Sequence, residues 1–128
     1  MTIRSSRFIV ALVVSLVSAT LMAGCSDGPA GTGETPPLSV SVDVGNVFFQ
    51  SVRNASMDPA VDTVAAGGTV IWTWIETGTH TVRFPGLPES PTFIDIGSMF
   101  SMSFPAAGTF AYDCGVHGSV MAGTIVVK

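Results

Sequence analysis

The sequence predicts an all-β domain, a sandwich or barrel of short strands, running from Leu38 to Lys128. Two observations predict it. From Leu38 onward, short runs rich in Val, Ile, Thr and Phe are broken by Gly, Pro or Asp at intervals of roughly eight to twelve residues, the spacing of strands joined by turns. Over the same stretch nothing reads as strongly helical. At 128 residues the chain has room for one such domain, and its first two dozen residues do not read as part of it.

Those first residues form an export signal. Arg4 and Arg7 open the chain, and Phe8 to Ala23 follows without a charge before Gly24-Cys25 closes the run with small residues. Sixteen uncharged residues fall short of the roughly 20 that span a bilayer as a helix. The closing Leu21-Met22-Ala23-Gly24-Cys25 resembles the lipobox of bacterial lipoproteins, in which the Cys receives a diacylglycerol and becomes the new N-terminus. That resemblance implies a lipidated Cys25 and a protein held at a membrane surface outside the cytoplasm, in the periplasm or on the cell surface. Two or more acyl chains, at about 0.8 kcal/mol per buried methylene, make such anchoring stable. Ser26 to Pro37 then reads as a flexible tether, heavy in Gly and Pro and without apolar periodicity. The expected organisation is a signal over residues 1–24, a lipidated Cys and tether over 25–37, and one domain over 38–128.

Loss of the signal removes Arg4 and Arg7. Three basic residues, Arg53, Arg83 and Lys128, then face nine acidic ones, a net charge of −6 that argues against nucleic acid as a partner. The chain has two cysteines. With Cys25 lipidated, Cys114 is the sole thiol of an exported domain, liable to oxidation unless something such as a metal protects it.

Within the domain, strands are expected near Leu38–Val44, Val47–Val52, Ala60–Val64, Thr69–Ile75, Thr79–Phe84, Met99–Phe104, Gly108–Cys114 and Ala122–Val127. Gly67-Gly68 marks a turn, and Pro85 to Pro91, with three prolines, a loop. Strand alternation places Phe110, Tyr112 and Cys114 on one face, so the thiol points inward at the end of its strand. His117 and Met121 follow in an expected loop whose Gly115 and Gly118 allow a tight return. The same alternation puts His80, Val82 and Phe84 inward and Thr79, Thr81 and Arg83 outward.

Singly, an inward His, Cys or Met is an ordinary core residue. Together, Cys-x-x-His-x-x-x-Met at a strand end and an upstream inward His supply one thiolate, two imidazoles and a thioether, the donor set of blue-copper electron-transfer sites. Thiolate and thioether suit Cu(I) and imidazole suits Cu(II), so a fixed compromise geometry lets the ion change charge with little rearrangement. Zinc is the runner-up, but structural zinc sites take four nitrogen or thiolate ligands and Met is not among them.

The stretch from Leu38 to Lys128 resembles the plastocyanin-like cupredoxins. Gly68-Thr-Val-Ile-Trp-Thr-Trp74, His80, and Phe110-Ala-Tyr-Asp-Cys-Gly-Val-His117 through Met121 to the terminal Gly-Thr-Ile-Val-Val strand carry the resemblance. It implies a Greek-key β-sandwich of about eight strands holding one type 1 copper ion. By motif position His80 and His117 are the imidazoles, Cys114 the thiolate and Met121 the axial ligand. It implies a monomeric, non-enzymatic carrier that exchanges one electron with redox partner proteins of the membrane or periplasm, through an apolar patch expected at Val116 and Val120. Three departures stand out. Thr81 and Gly115 occupy positions where many relatives have Asn and Ser or Thr, and the gap from His117 to Met121 is intermediate among the family's spacings.

Two further classes compete. A copper-handling protein for storage, delivery or sensing would enlist Met57, Met99 and Met102, although Met102 alternates with Phe100 and Phe104 and so reads as core. A structural sandwich would leave all four donors incidental. Copper enzymes of the same superfold need more histidines than the two present, and no Gly-rich phosphate loop occurs.

Overall fold

The computed structural model describes residues 33–128; the export segment, Cys25 and most of the tether lie outside the described residues. Seven strands follow one another: β1 (Ser39–Gly45), β2 (Phe48–Ser51), β3 (Ala60–Val64), β4 (Gly68–Trp74), β5 (Met99–Phe104), β6 (Gly108–Cys114) and β7 (Gly118–Val127). They form two sheets, β2-β1-β4-β5 and β3-β7-β6, with β1 parallel to β4 and β3 parallel to β7. The described residues contain no helix, and the expected β-sandwich is what they build.

The alternation that predicted the strands also fills the space between the sheets. Val40, Val42 and Val44 of β1, Val70, Trp72 and Trp74 of β4, and Ile125 and Val127 of β7 all turn inward and are buried. Aromatic rings knit this core edge to face. Trp72 meets Tyr112 at 5.4 Å and Phe84 at 5.9 Å, and Phe49 meets Tyr112 at 5.0 Å between ring centroids. Tyr112 pairs in register with Gly123, where a Cβ would overlap the tyrosine ring and its hydroxyl. Glycine therefore stands in the middle of β7 to admit that ring.

Two expectations about elements are corrected. Thr79–Phe84 is not a strand. It makes only isolated bridges, His80 to Phe93 and Arg83 to Asp113, because successive residues look to different partners and no continuous ladder can form. The chain after Pro85 folds back so that Ser90 N–H donates to Val82 O at 3.0 Å and Val82 N–H donates to Ser90 Oγ at 2.8 Å. The second correction concerns the segment after Cys114. β7 begins at Gly118 and not near Ala122, so Met121 lies on a strand; the loop reduces to the turn Gly115–His117, and the register shifts between Asp113 and Cys114. A bulge there lets the extra residues pass without disturbing the ladder below.

Candidate metal centre

Three elements deliver three donor atoms to one point. Cys114 ends β6 with its side chain fully buried. His117 occupies the turn that follows, three residues on, and reaches back so that its Nδ1 lies 3.6 Å from Cys114 Sγ. His80 arrives from the irregular segment after β4, itself 1% exposed, and its Nδ1 lies 3.2 Å from His117 Nδ1 and 3.9 Å from Cys114 Sγ. The segment is aligned by the backbone pair between Arg83 and Asp113, the residue before Cys114.

The geometry fits a small soft ion. A point equidistant from the three atoms lies about 2.1 Å from each, against roughly 2.0–2.1 Å for a metal–imidazole bond and 2.3 Å for a metal–thiolate bond. The three facing atoms also lie within hydrogen-bond reach of one another, and His80 Nε2, on the far side of its ring, is buried without a partner. Burial first, and then the neighbouring His117, push the His80 imidazole below its ordinary pKa, which keeps that ring neutral and its lone pair free. Gly78 leaves room for the ring, since a Cβ there would stand 2.5 Å from His80 Nε2.

Met121 is fully buried, inward-facing on β7 next to Ala122, which pairs with Asp113 across the bulge. Its strand therefore runs beside the end of β6 that carries Cys114. Of the other methionines, Met57 and Met99 are exposed, and Met102 packs against the core as its alternation predicted.

One residue beside the centre departs from its expected orientation. Thr81, placed outward by alternation, is 4% exposed. Its Oγ1 accepts a hydrogen bond from the Gly115 N–H at 2.8 Å, and its hydroxyl donates to Glu89 Oε1 at 2.5 Å. Period two holds only in a strand, and none forms here; Glu89, in the proline-rich loop, carries no sequence signal at all.

The chain is similar to known proteins. Amicyanin-alpha of Methylorubrum extorquens is 31% identical over 98% of this chain and 99% of its own length. Plastocyanin of Prochlorothrix hollandica is 29% identical over 97% of this chain and 95% of its own. Among solved structures, an amicyanin variant in its reduced Cu(I) form matches at a TM-score of 0.55 and 26% identity, covering 70% of this chain and 82% of that one. No family model matches the sequence. A β-sandwich that gathers two imidazoles and a thiolate at the end of one strand defines a single-ion metal-binding protein. With these relatives, the chain belongs to the plastocyanin-like cupredoxins, which are electron-transfer proteins and not enzymes.

Proposed function

We propose that His80, Cys114 and His117 hold one copper ion with Met121 as axial donor, and that the protein exchanges single electrons with redox partners outside the cytoplasm. The observation that carries the reading is the convergence of two Nδ1 atoms and one Sγ within 3.9 Å of one another. Bound copper supplies a one-electron Cu(I)/Cu(II) couple. The residues supply its constancy. Cys114 is fixed by the β6–β7 ladder and His80 by its bridge to Phe93 and the nearby Arg83–Asp113 pair, so neither donor need move when the charge changes. Met121 offers a weak thioether whose distance tunes the potential.

Val116 and Val120, 52% and 66% exposed, flank His117 in sequence and form the apolar contact through which a partner protein would dock. The protein acts as a tethered monomer, anchored by a lipid on Cys25. The order of charged start, apolar run and small residues before Cys25 supports this. A Cys25→Ser form should be released from the membrane fraction; a form still retained there would sink the lipid anchor.

The test of the centre is the visible spectrum of the purified protein with Cu(II). An intense thiolate-to-copper band that bleaches with ascorbate and returns on oxidation is expected, with the metal retained throughout. Loss of copper to a chelator during cycling would favour storage or delivery instead, and no band at all would favour a structural sandwich.

A further inference from the structure

We propose that Glu89 is a positioning residue for the Cys114–His117 turn, acting through Thr81. The Gly115 N–H, first donor after the thiolate, is directed at Thr81 Oγ1, and the Thr81 hydroxyl is directed in turn at the Glu89 carboxylate. A hydroxyl left alone rotates and can present either its proton or a lone pair. With its proton committed to a carboxylate, Thr81 can present only a lone pair toward Gly115, and the charge on the acceptor strengthens the first bond of the chain.

Glu89 is itself held. Ser90, buried at 6% exposed, pairs with Val82 through both its backbone and its hydroxyl, which fixes the returning loop against the segment that carries Thr81. Gly115 completes the arrangement. A Cβ at that position would overlap the Glu89 carboxylate and stand 2.8 Å from Thr81 Oγ1, so the space beside the turn belongs to the brace and not to a side chain of the turn. Thr81, Glu89 and Gly115 are thus one unit, and a side chain at position 115 would have to displace the Glu89 carboxylate from Thr81.

The consequence for the metal rests on Cys114 and His117 being ligands; the brace itself does not. Two readouts on the full chain separate the two. In the metal-free protein, amide hydrogen exchange at Gly115 should accelerate roughly tenfold in Thr81→Val and several-fold in Glu89→Ala, about the worth of one hydrogen bond. Adding Glu89→Ala to Thr81→Val should add nothing, whereas Thr81→Ser and Glu89→Gln, which keep an acceptor in each place, should stay within about twofold of the parent. In the copper-loaded protein, the reduction potential and the thiolate-to-copper band should move in the Ala and Val variants and return in the Ser and Gln variants. Wild-type exchange at Gly115 in Glu89→Ala, or additive effects in the double variant, would overturn the proposal. A potential that shifts equally in Glu89→Ala and Glu89→Gln with the Gly115 amide unmoved would replace it by a through-space charge effect. Failure of the parent to take up copper would defeat the functional reading, while the exchange data would still decide the brace.

Discussion

Arg83 and Asp113 are joined twice, once by their backbones and once by their side chains. Arg83 N–H donates to Asp113 O at 2.8 Å and Asp113 N–H returns to Arg83 O at 3.0 Å, while the guanidinium grips both carboxylate oxygens at 2.8 and 2.9 Å. Counting back from this antiparallel pair sets Thr81 opposite Gly115, which is where the hydrogen bond between them falls. The pair thereby fixes the register of the upstream His segment against the strand that ends in Cys114.

The two links should differ in consequence. The ion pair is half-exposed and screened, so Arg83→Gln should leave the copper band in place and the melting temperature nearly unchanged. Arg83→Pro removes the backbone donor and should cost the centre its affinity, seen as copper lost to a chelator that the parent resists. Equal retention in both variants would show that the register is held elsewhere.

Cys114→Ser should abolish the coloured Cu(II) form, because a hydroxyl cannot supply the thiolate. Met121→Leu should keep the copper and raise its potential, since loss of a soft axial donor disfavours Cu(II). The side chain is fully buried, and a swap of similar volume should cost less than about 1.5 kcal/mol in stability. An unchanged potential would remove Met121 from the ligand set.

Gly123→Ala should destabilise the fold by about 1–3 kcal/mol, because the added methyl would overlap the buried Tyr112 ring and force it to shift. Urea unfolding of the copper-free protein measures this. A variant as stable as the parent would mean that the β6–β7 ladder gives way easily.

Asp62 is buried on β3 and accepts a hydrogen bond from Ser51 Oγ at 2.7 Å, with its second oxygen unpartnered. Burial pushes its carboxyl above the ordinary 3.8, with the Ser51 bond and Arg53 pulling the other way. The folded state then binds more protons than the unfolded state between the two pKa values, so this group's contribution to stability falls as pH rises through that window. Asp62→Asn keeps the acceptor and removes the charge. It should be more stable than the parent near neutral pH, with the gap closing below about pH 3.8, in melts of the copper-free proteins. A gap independent of pH would assign the effect to packing.

Much of the fold was legible because each face of each strand has one environment. Val40, Val42 and Val44 bury themselves whatever the neighbours, and period two records it. The donors His80, Cys114 and His117 were legible by chemistry: a thiol and two imidazoles are rare enough here that each had to be explained. Thr79–Phe84 misled because its residues alternate like a strand while its partners, Phe93 and Asp113, lie on different parts of the chain. Thr81 is buried by what packs over it, and that depends on where Glu89 and Gly115 arrive in space. Local pattern carries no record of such arrivals. The sequence suggests a loop at Met121 because the bulge at Asp113 and Cys114, which lengthens β7, is a property of the pair of strands and not of either sequence.

The separation of thirty-four positions between His80 and Cys114 has a meaning in chain topology as well. The segment leaves the sheet of β4, returns to it as β5, and only then crosses to the sheet of β6. An ion bonded at both ends would close that path into a ring linking the two sheets, and such a closure removes entropy chiefly from the unfolded chain. Copper would then act as a removable crosslink, raising the denaturant midpoint above that of the copper-free fold without being needed to form it.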